Sequence, residues 1–475
     1  MSTMRSLPLL VLFACTTTPD AEKDADSAAL GDSGAGDSDV DTDDTGVLDP
    51  AEDPFDITAE ISDYVSTVVI VRWTTEAPTA GRVEFGTSDT YGHVTPSTEV
   101  GTTHEVLLLG MTADTEVHFR VITEGATREV PSPDLTITTE SLPSGLFPTR
   151  ATGTAASWPG GFQVVPLQGT TYAVVILDAD GHYVWYRFVE EVGNLMRAFM
   201  TDDGKEVVYC LAGPQGQLET GKIVRVSMDG GTVVETPFPY IDHDMTALPD
   251  GTIASIVVET RDGRSADTIV ELAPDGTTTE VFNAWDNWDP DAIGVFPGEM
   301  NWTHGNALDY DPVEDAYYLS MKSLGSLVKI DRGTGEPQWA INGLLNEFEF
   351  SDGGGGGGGG EPIAMHHQFE VLDGTILFFE NGPMGREYSR AVEIEYDVEA
   401  RTAHEIWSYI SDPMLYVFAK GDVHRFDDGV TQVVWSSSGQ IQNVSPEGEV
   451  TWQLDLDLGQ AMTFVQVIDS MYGTR

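Results

Sequence analysis

The chain has 475 residues, with 23 Lys and Arg against 78 Asp and Glu and a formal net charge of -55. A surface this acidic repels phosphate backbones, which excludes nucleic acid as a partner. The length exceeds one ordinary domain, and 50 glycines with few long helical patterns favour short strands joined by tight turns.

At the N-terminus, Arg5 is followed by an apolar run over residues 7–14 and then Cys15. This pattern predicts a signal peptide over residues 1–15, too short to span as a mature helix. Its last four residues, Leu12-Phe-Ala-Cys15, resemble a bacterial lipobox. That resemblance implies cleavage before Cys15 and a lipid on its thiol; the alternative is an ordinary cleaved signal peptide. Thr16 and Thr17 follow the cysteine, where an Asp would signal inner-membrane retention. The expectation is therefore an exported protein, in the periplasm or at the cell surface, held to the outer membrane by an N-terminal lipid anchor. Cys210 then stands alone, which excludes an intramolecular disulfide framework. It is expected to be a small buried hydrophobe.

Residues 16–53 are mostly Asp, Ser, Gly, Thr and Ala. Such a segment buries too little apolar surface to offset its ordering entropy, and like charges extend it, so it reads as a disordered acidic linker. Residues 37–44 have the acidic spacing of a calcium loop but lack its central Gly and terminal Glu.

Residues 54–141 carry five strand-like runs, at 67–74, 82–86, 105–109, 117–121 and 135–139, with Trp73 as a candidate core residue. The pattern resembles a fibronectin type III β-sandwich, with Val117 where that family places a Tyr. His104 and His118 read as packing or surface residues.

From residue 142 to 475 the chain repeats itself. An apolar strand, an Asp/Gly-rich turn and a second strand recur at 174–185, 223–234, 269–276, 327–339, 391–407 and 441–452. Six copies at this spacing predict an all-β, six-bladed β-propeller. The Asp-Gly turns supply the positive φ that tight hairpins need. Four copies reach a Trp soon after the turn: Trp185, Trp339, Trp407 and Trp452. Further turn signals at 248–252, 371–375 and 426–429 predict four strands per blade. The Gly run at 353–360 reads as a loop insertion between blades.

Histidines fall in register on these repeats. His243, His304, the pair His366 and His367, and His424 each stand near the start of an equivalent strand. The first strand of each propeller blade lines the central channel, so these positions converge at one end of it. A histidine ring admits metal ligation or nucleophilic and acid–base catalysis. No local pair such as His-x-x-x-His is present.

The segment Asn301-Trp-Thr-His-Gly-Asn306 and its continuation to Ser320 resemble the signature of the bacterial arylsulfate sulfotransferases. Leu327-Val-Lys-Ile-Asp331, Gly335 to Gly343, His243-Asp244, His367, Glu380-Asn-Gly382, Ser389-Arg-Ala391 and Gly421-Asp-Val-His424 are similar to further blocks of that family, in the same order. The resemblance covers roughly residues 150–475. It implies transfer of a sulfuryl group from a phenolic sulfate ester to a phenolic acceptor through a sulfohistidine, without a nucleotide sulfate donor, metal or cofactor. No phosphate-cradling Gly-rich motif is present. The resemblance implies His367 as nucleophile, with His366 as rival because the following turn is one residue shorter than in the family. Strand alternation lets only one of the two face the channel. His243 and His304 become proton donors or sulfuryl-oxygen ligands, and Asn306 an amide donor. Lys322 stands where the family has Arg, keeping the charge but losing the planar two-pronged contact. Glu380 replaces the family's Asp, and its structural reading is an ion pair with Arg390. Arg390, Lys322 and His424 complete the candidate substrate-binding residues.

A sulfate ester is an anion, so a working site in this chain must be a locally positive island. Lys322, the histidines and Arg197 are the available groups, and Trp302, Phe369 and Tyr416 are candidate contacts for a phenyl ring. Two readings compete with the transferase. One is a non-catalytic surface-anchored propeller that binds a ligand or protein partner; the other is a metal-dependent enzyme.

Overall fold

The computed structural model describes residues 54–473 apart from 126–127, 154–157, 191–192, 352–362, 384 and 458. The segments expected to be a signal peptide and an acidic linker, Cys15 and the Gly run therefore lie outside the described residues. The regular structure of the described residues is almost entirely strand.

Six sheets follow one another along the chain as the blades of a propeller. Blades 2 to 6 each open on an inner strand: Asn194–Met200, Ile241–Ala247, Gly305–Asp311, His366–Val371 and Asp422–Arg425. Three further antiparallel strands run outward from each. Blade 1 is built differently. Its strands Phe162–Gly169, Ala173–Leu177 and Tyr183–Phe188 are completed on the axial side by Gln460–Met462 and Gln466–Ile468, from near the C-terminus. Arg150–Thr152 adds a fifth, outermost strand to blade 6. The ring is thus clasped at both ends of the repeat array, which leaves no open seam between first and last blade. Linear reading of the repeats did not anticipate this exchange.

The recurrent motif forms the last two strands of each four-stranded antiparallel run, with Glu349–Phe350 and Arg150–Thr152 added outside it in blades 5 and 6, and its tryptophans act between blades. Trp185 Nε1 donates to Met228 O at 2.9 Å, Trp407 to Pro446 O at 3.2 Å and Trp452 to Ala179 O at 2.8 Å. Each acceptor is the second residue of the next blade's turn, so one indole both packs its own blade and closes the gap to its neighbour. Trp339 takes the same position but packs among Tyr318, Phe348 and Tyr396. Cys210 is buried and free in blade 2.

Residues 55–138 form a separate set of seven strands. The runs expected at 67–74 and 82–86 belong to one 18-residue strand, Val69–Gly86, whose register shifts between Thr74 and Thr79. Its first half pairs with Phe55–Ile61 and Gly101–Leu108, its second with Glu116–Glu124 and His93–Val94. Trp73 is buried at its centre, stacked on His104 at 4.8 Å between ring centroids. His118 is held by Asp134 at 2.9 Å. This unit is bonded to the propeller. The Tyr186 hydroxyl donates to Ser66 Oγ and accepts from Ser66 N, Thr67 Oγ1 donates to Val184 O, and the Tyr472 hydroxyl accepts from Leu109 N and donates to Leu107 O.

Candidate active site

Inner strands of consecutive blades lose their regular register near the same end of the channel. The shifts fall between Leu195 and Ala198, Ile241 and Met245, Gly305 and Ala307, and His366 and Phe369. Bulges of this kind turn side chains away from strict alternation. In addition, His243, His304, Met365 and Lys420 have positive φ of 45°, 49°, 54° and 64°. For residues with a Cβ, this region costs of order 1–3 kcal/mol each. All four line one cavity of about 210 Å³. Two glycines in the sequence motifs serve the same packing. A Cβ on Gly305 would meet Asp267 Oδ2 at 3.0 Å, and one on Gly421 (φ 109°) would meet the Phe379 ring at 2.1 Å.

The polar wall of the cavity is His243, His304, Lys322, His367, Lys420 and Thr463; Met196, Phe418 and Phe464 are its larger apolar members with Met365. His367 sits on the inner strand of blade 5 with its Nδ1 2.5 Å from Asn381 Oδ1. The amide of Asn381 donates to Val417 O and Lys420 O, both at 2.8 Å. With its nitrogen so committed, Asn381 can offer His367 only an acceptor. The imidazole must carry its proton on Nδ1, which leaves the Nε2 lone pair unprotonated. Burial, opposed by the Asn381 bond and aided by the neighbouring histidines, holds His367 well below the ordinary histidine range. It is a neutral imidazole at physiological pH.

The other two cavity histidines are driven apart. Their rings lie 4.9 Å apart between centroids. His304 is pulled down to about 3 by burial, with His243 and Lys322 adding to the shift. For His243 burial also acts downward, but the Asp242 carboxylate, 2.9 Å from Nδ1, outweighs it and raises the imidazolium. One member of the pair is thus set up as an acid and the other as a neutral partner.

The remaining sequence candidates lie elsewhere. His366 is fully buried with Nδ1 2.7 Å from Ser320 Oγ and its ring against Phe378, so the adjacent histidines face opposite ways. The Asn306 amide is also buried and donates to His366 O at 3.0 Å, tying blade 4 to blade 5. His424 pairs with Glu370 at 3.0 Å along the channel. Arg390 is bonded to Glu380 and Glu405. Arg197 follows the cavity residue Met196 but faces Asp244, at 3.8 Å, and the ring of Phe464. Trp302 and Phe369 are core residues, and the ring wall is made instead by Phe418 and Phe464. Lys420, Asn381 as an orienting group, Thr463 and these two phenylalanines were missed. Asn381 and Lys420 do have a sequence signal, since they stand within or next to the motif blocks at 380–382 and 421–424.

Among the described residues, the one His/Asp/Glu group whose donor atoms lie within 4.8 Å of each other is Asp178, Asp180 and His182, in a surface turn of blade 1. None of the three lines the cavity.

Residues 158–344 match the family model for arylsulfotransferase (ASST). The match spans blades 1 to 4 and includes His243, His304 and Lys322; His367, Asn381, Lys420 and Thr463 lie beyond it. No curated protein sequence matches the chain. Among solved structures, a protein of unknown function from Bacteroides caccae is 13% identical, with a TM-score of 0.44, covering 65% of this chain and 100% of its own. Virginiamycin B lyase from Staphylococcus aureus is 12% identical, with a TM-score of 0.40, covering 68% of this chain and 100% of its own.

Proposed function

We propose that the cavity transfers a sulfuryl group from a phenolic sulfate ester to a phenolic acceptor, with His367 as the nucleophile. The observation that carries this reading is the double commitment of the Asn381 amide, which leaves a neutral imidazole with a free Nε2 facing the cavity. The family match at residues 158–344 supports the reaction class.

The Nε2 lone pair attacks sulfur, the S–O bond to the aryl group breaks, and the departing oxygen takes a proton from the His243 imidazolium. The product is an Nε2-sulfohistidine whose Nδ1–H still donates to Asn381. Lys322 and the Thr463 hydroxyl, which has no hydrogen-bond partner within the described protein, offset charge on the sulfuryl oxygens. An acceptor phenol then returns its proton to His243, its oxygen attacks sulfur, and the N–S bond breaks. The enzyme is restored without metal or cofactor.

The test is 4-nitrophenyl sulfate turnover by the fragment from residue 50 onward, with and without phenol. Phenol-dependent nitrophenol release, lost in His367→Asn but kept in His366→Asn, supports the assignment. No release from the folded protein would sink it and favour a binding propeller. The reading extends to location: residues 54–141 serve as a fibronectin type III-like spacer on an outer-membrane lipoprotein anchored through Cys15. Labelled palmitate incorporated by the full chain and lost in Cys15→Ser checks the anchor.

A further inference from the structure

Lys205, Lys222 and Lys329 each pair with a carboxylate. Lys322 and Lys420 have no carboxylate within ion-pair distance among the described residues, and both line the cavity. Acidic residues outnumber basic ones 78 to 23, so two lysines without a carboxylate in one cavity mark a place kept for anions. Leaving a partly desolvated ammonium without a counter-ion is costly, and that cost is relieved when an anionic ligand arrives.

The two lysines hold different walls. Lys322 follows the second strand of blade 4, and its backbone N donates to His304 O at 2.9 Å. The Lys420 ammonium is drawn the other way and donates to Gln168 Oε1. Gln168 belongs to blade 1, opposite blade 4 in a ring of six. Its own amide donates to Leu195 O, which fixes the oxygen toward the lysine. This single amide bond leaves two of three ammonium donors to the cavity. Burial lowers the Lys420 ammonium to about 8, in keeping with a cation short of a carboxylate partner.

Three of the four larger apolar members, all but Met365, stand on the segments that carry or hold Lys420. Phe418 is two residues before it, Phe464 lies between the C-terminal strands that complete blade 1, and Met196 follows Leu195. A sulfuryl group held among His243, His304, His367 and Lys322 would extend its aryl ring over this wall, toward a second cation.

Resting on the aryl sulfate reading above, we propose that Lys420 binds a second anionic group carried by the ring. The preferred donor or acceptor is then a phenol with an anionic ring substituent such as a carboxylate. The contact is a charge-assisted hydrogen bond added to a buried site.

The experiment compares 4-sulfooxybenzoate with its methyl ester as donors. The ester has the better leaving group, so a preference for the carboxylate cannot arise from intrinsic reactivity. Wild type is expected to favour the carboxylate by about tenfold or more in kcat/KM, with the ratio falling to about one in Lys420→Met and partly kept in Lys420→Arg. A wild type that prefers the ester, or a Lys420→Met variant that keeps the ratio, overturns the proposal while leaving the transferase intact. Turnover of neither donor sinks the transferase reading. Calorimetric binding of 4-hydroxybenzoate against its methyl ester then decides on Lys420: a carboxylate preference lost in Lys420→Met supports it, and no preference overturns it.

Discussion

The outer hairpins and the inner strands of this propeller obey opposite rules. On the outside, Trp185, Trp407 and Trp452 repeat one bond to the next blade's turn. On the inside, equivalent strand starts carry Met196, His243, His304 and His367, with shifted register or a positive φ in place of a regular ladder. Repetition holds the ring closed, and departure from repetition at one end of the channel makes the cavity. Stability and chemistry are therefore expected to separate cleanly on mutation.

The sharpest separation comes from Trp452→Ala. Loss of this buried indole and its bond to Ala179 is expected to cost about 3–5 kcal/mol in chemical denaturation. Turnover measured where the variant is folded should change little. A large fall in kcat at unchanged stability would break the comparison.

Changing His243 should do the reverse. Because Asp242 raises this imidazolium above the ordinary histidine range, kcat is expected to decline as pH climbs past the raised value. His243→Gln should lower kcat on the order of a hundredfold and abolish that alkaline limb, with little shift in the melting midpoint. A limb that survives would assign it to another group.

Asn381→Asp tests the orienting bond with a smaller effect. A carboxylate beside Nδ1 favours the imidazolium, so His367 would be protonated over part of the working range. A loss of about tenfold at pH 7, partly recovered as pH rises, is the expected pattern. A pH-independent loss would make Asn381 structural only.

The legibility of the sequence follows the same division. Asp-Gly turns and tryptophans recur in the outer hairpins, so similarity alone revealed six blades. The histidine register located the cavity because His243, His304 and His367 sit where neighbouring blades differ at one level. It did not tell His366 from His367, because that choice depends on a bulge and on which side Asn381 and Ser320 lie. The Glu380–Arg390 ion pair was legible from the motif blocks, whereas the bonds of Asn306 to the His366 carbonyl and of Arg390 to Glu405 are contacts that no local pattern encodes. Lys420 escaped notice for the converse reason: its significance is a carboxylate that is not there.

The clasp has a consequence in time. Thr463 and Phe464 reach the cavity only with the segment that completes blade 1, and Arg150–Thr152 waits on blade 6 for its place. A chain emerging during synthesis cannot possess the complete cavity until residues beyond 460 have arrived, however well its earlier blades have formed. The cavity wall is thereby incomplete in every shorter precursor, so an assay on nested truncations would read the arrival of the last segment.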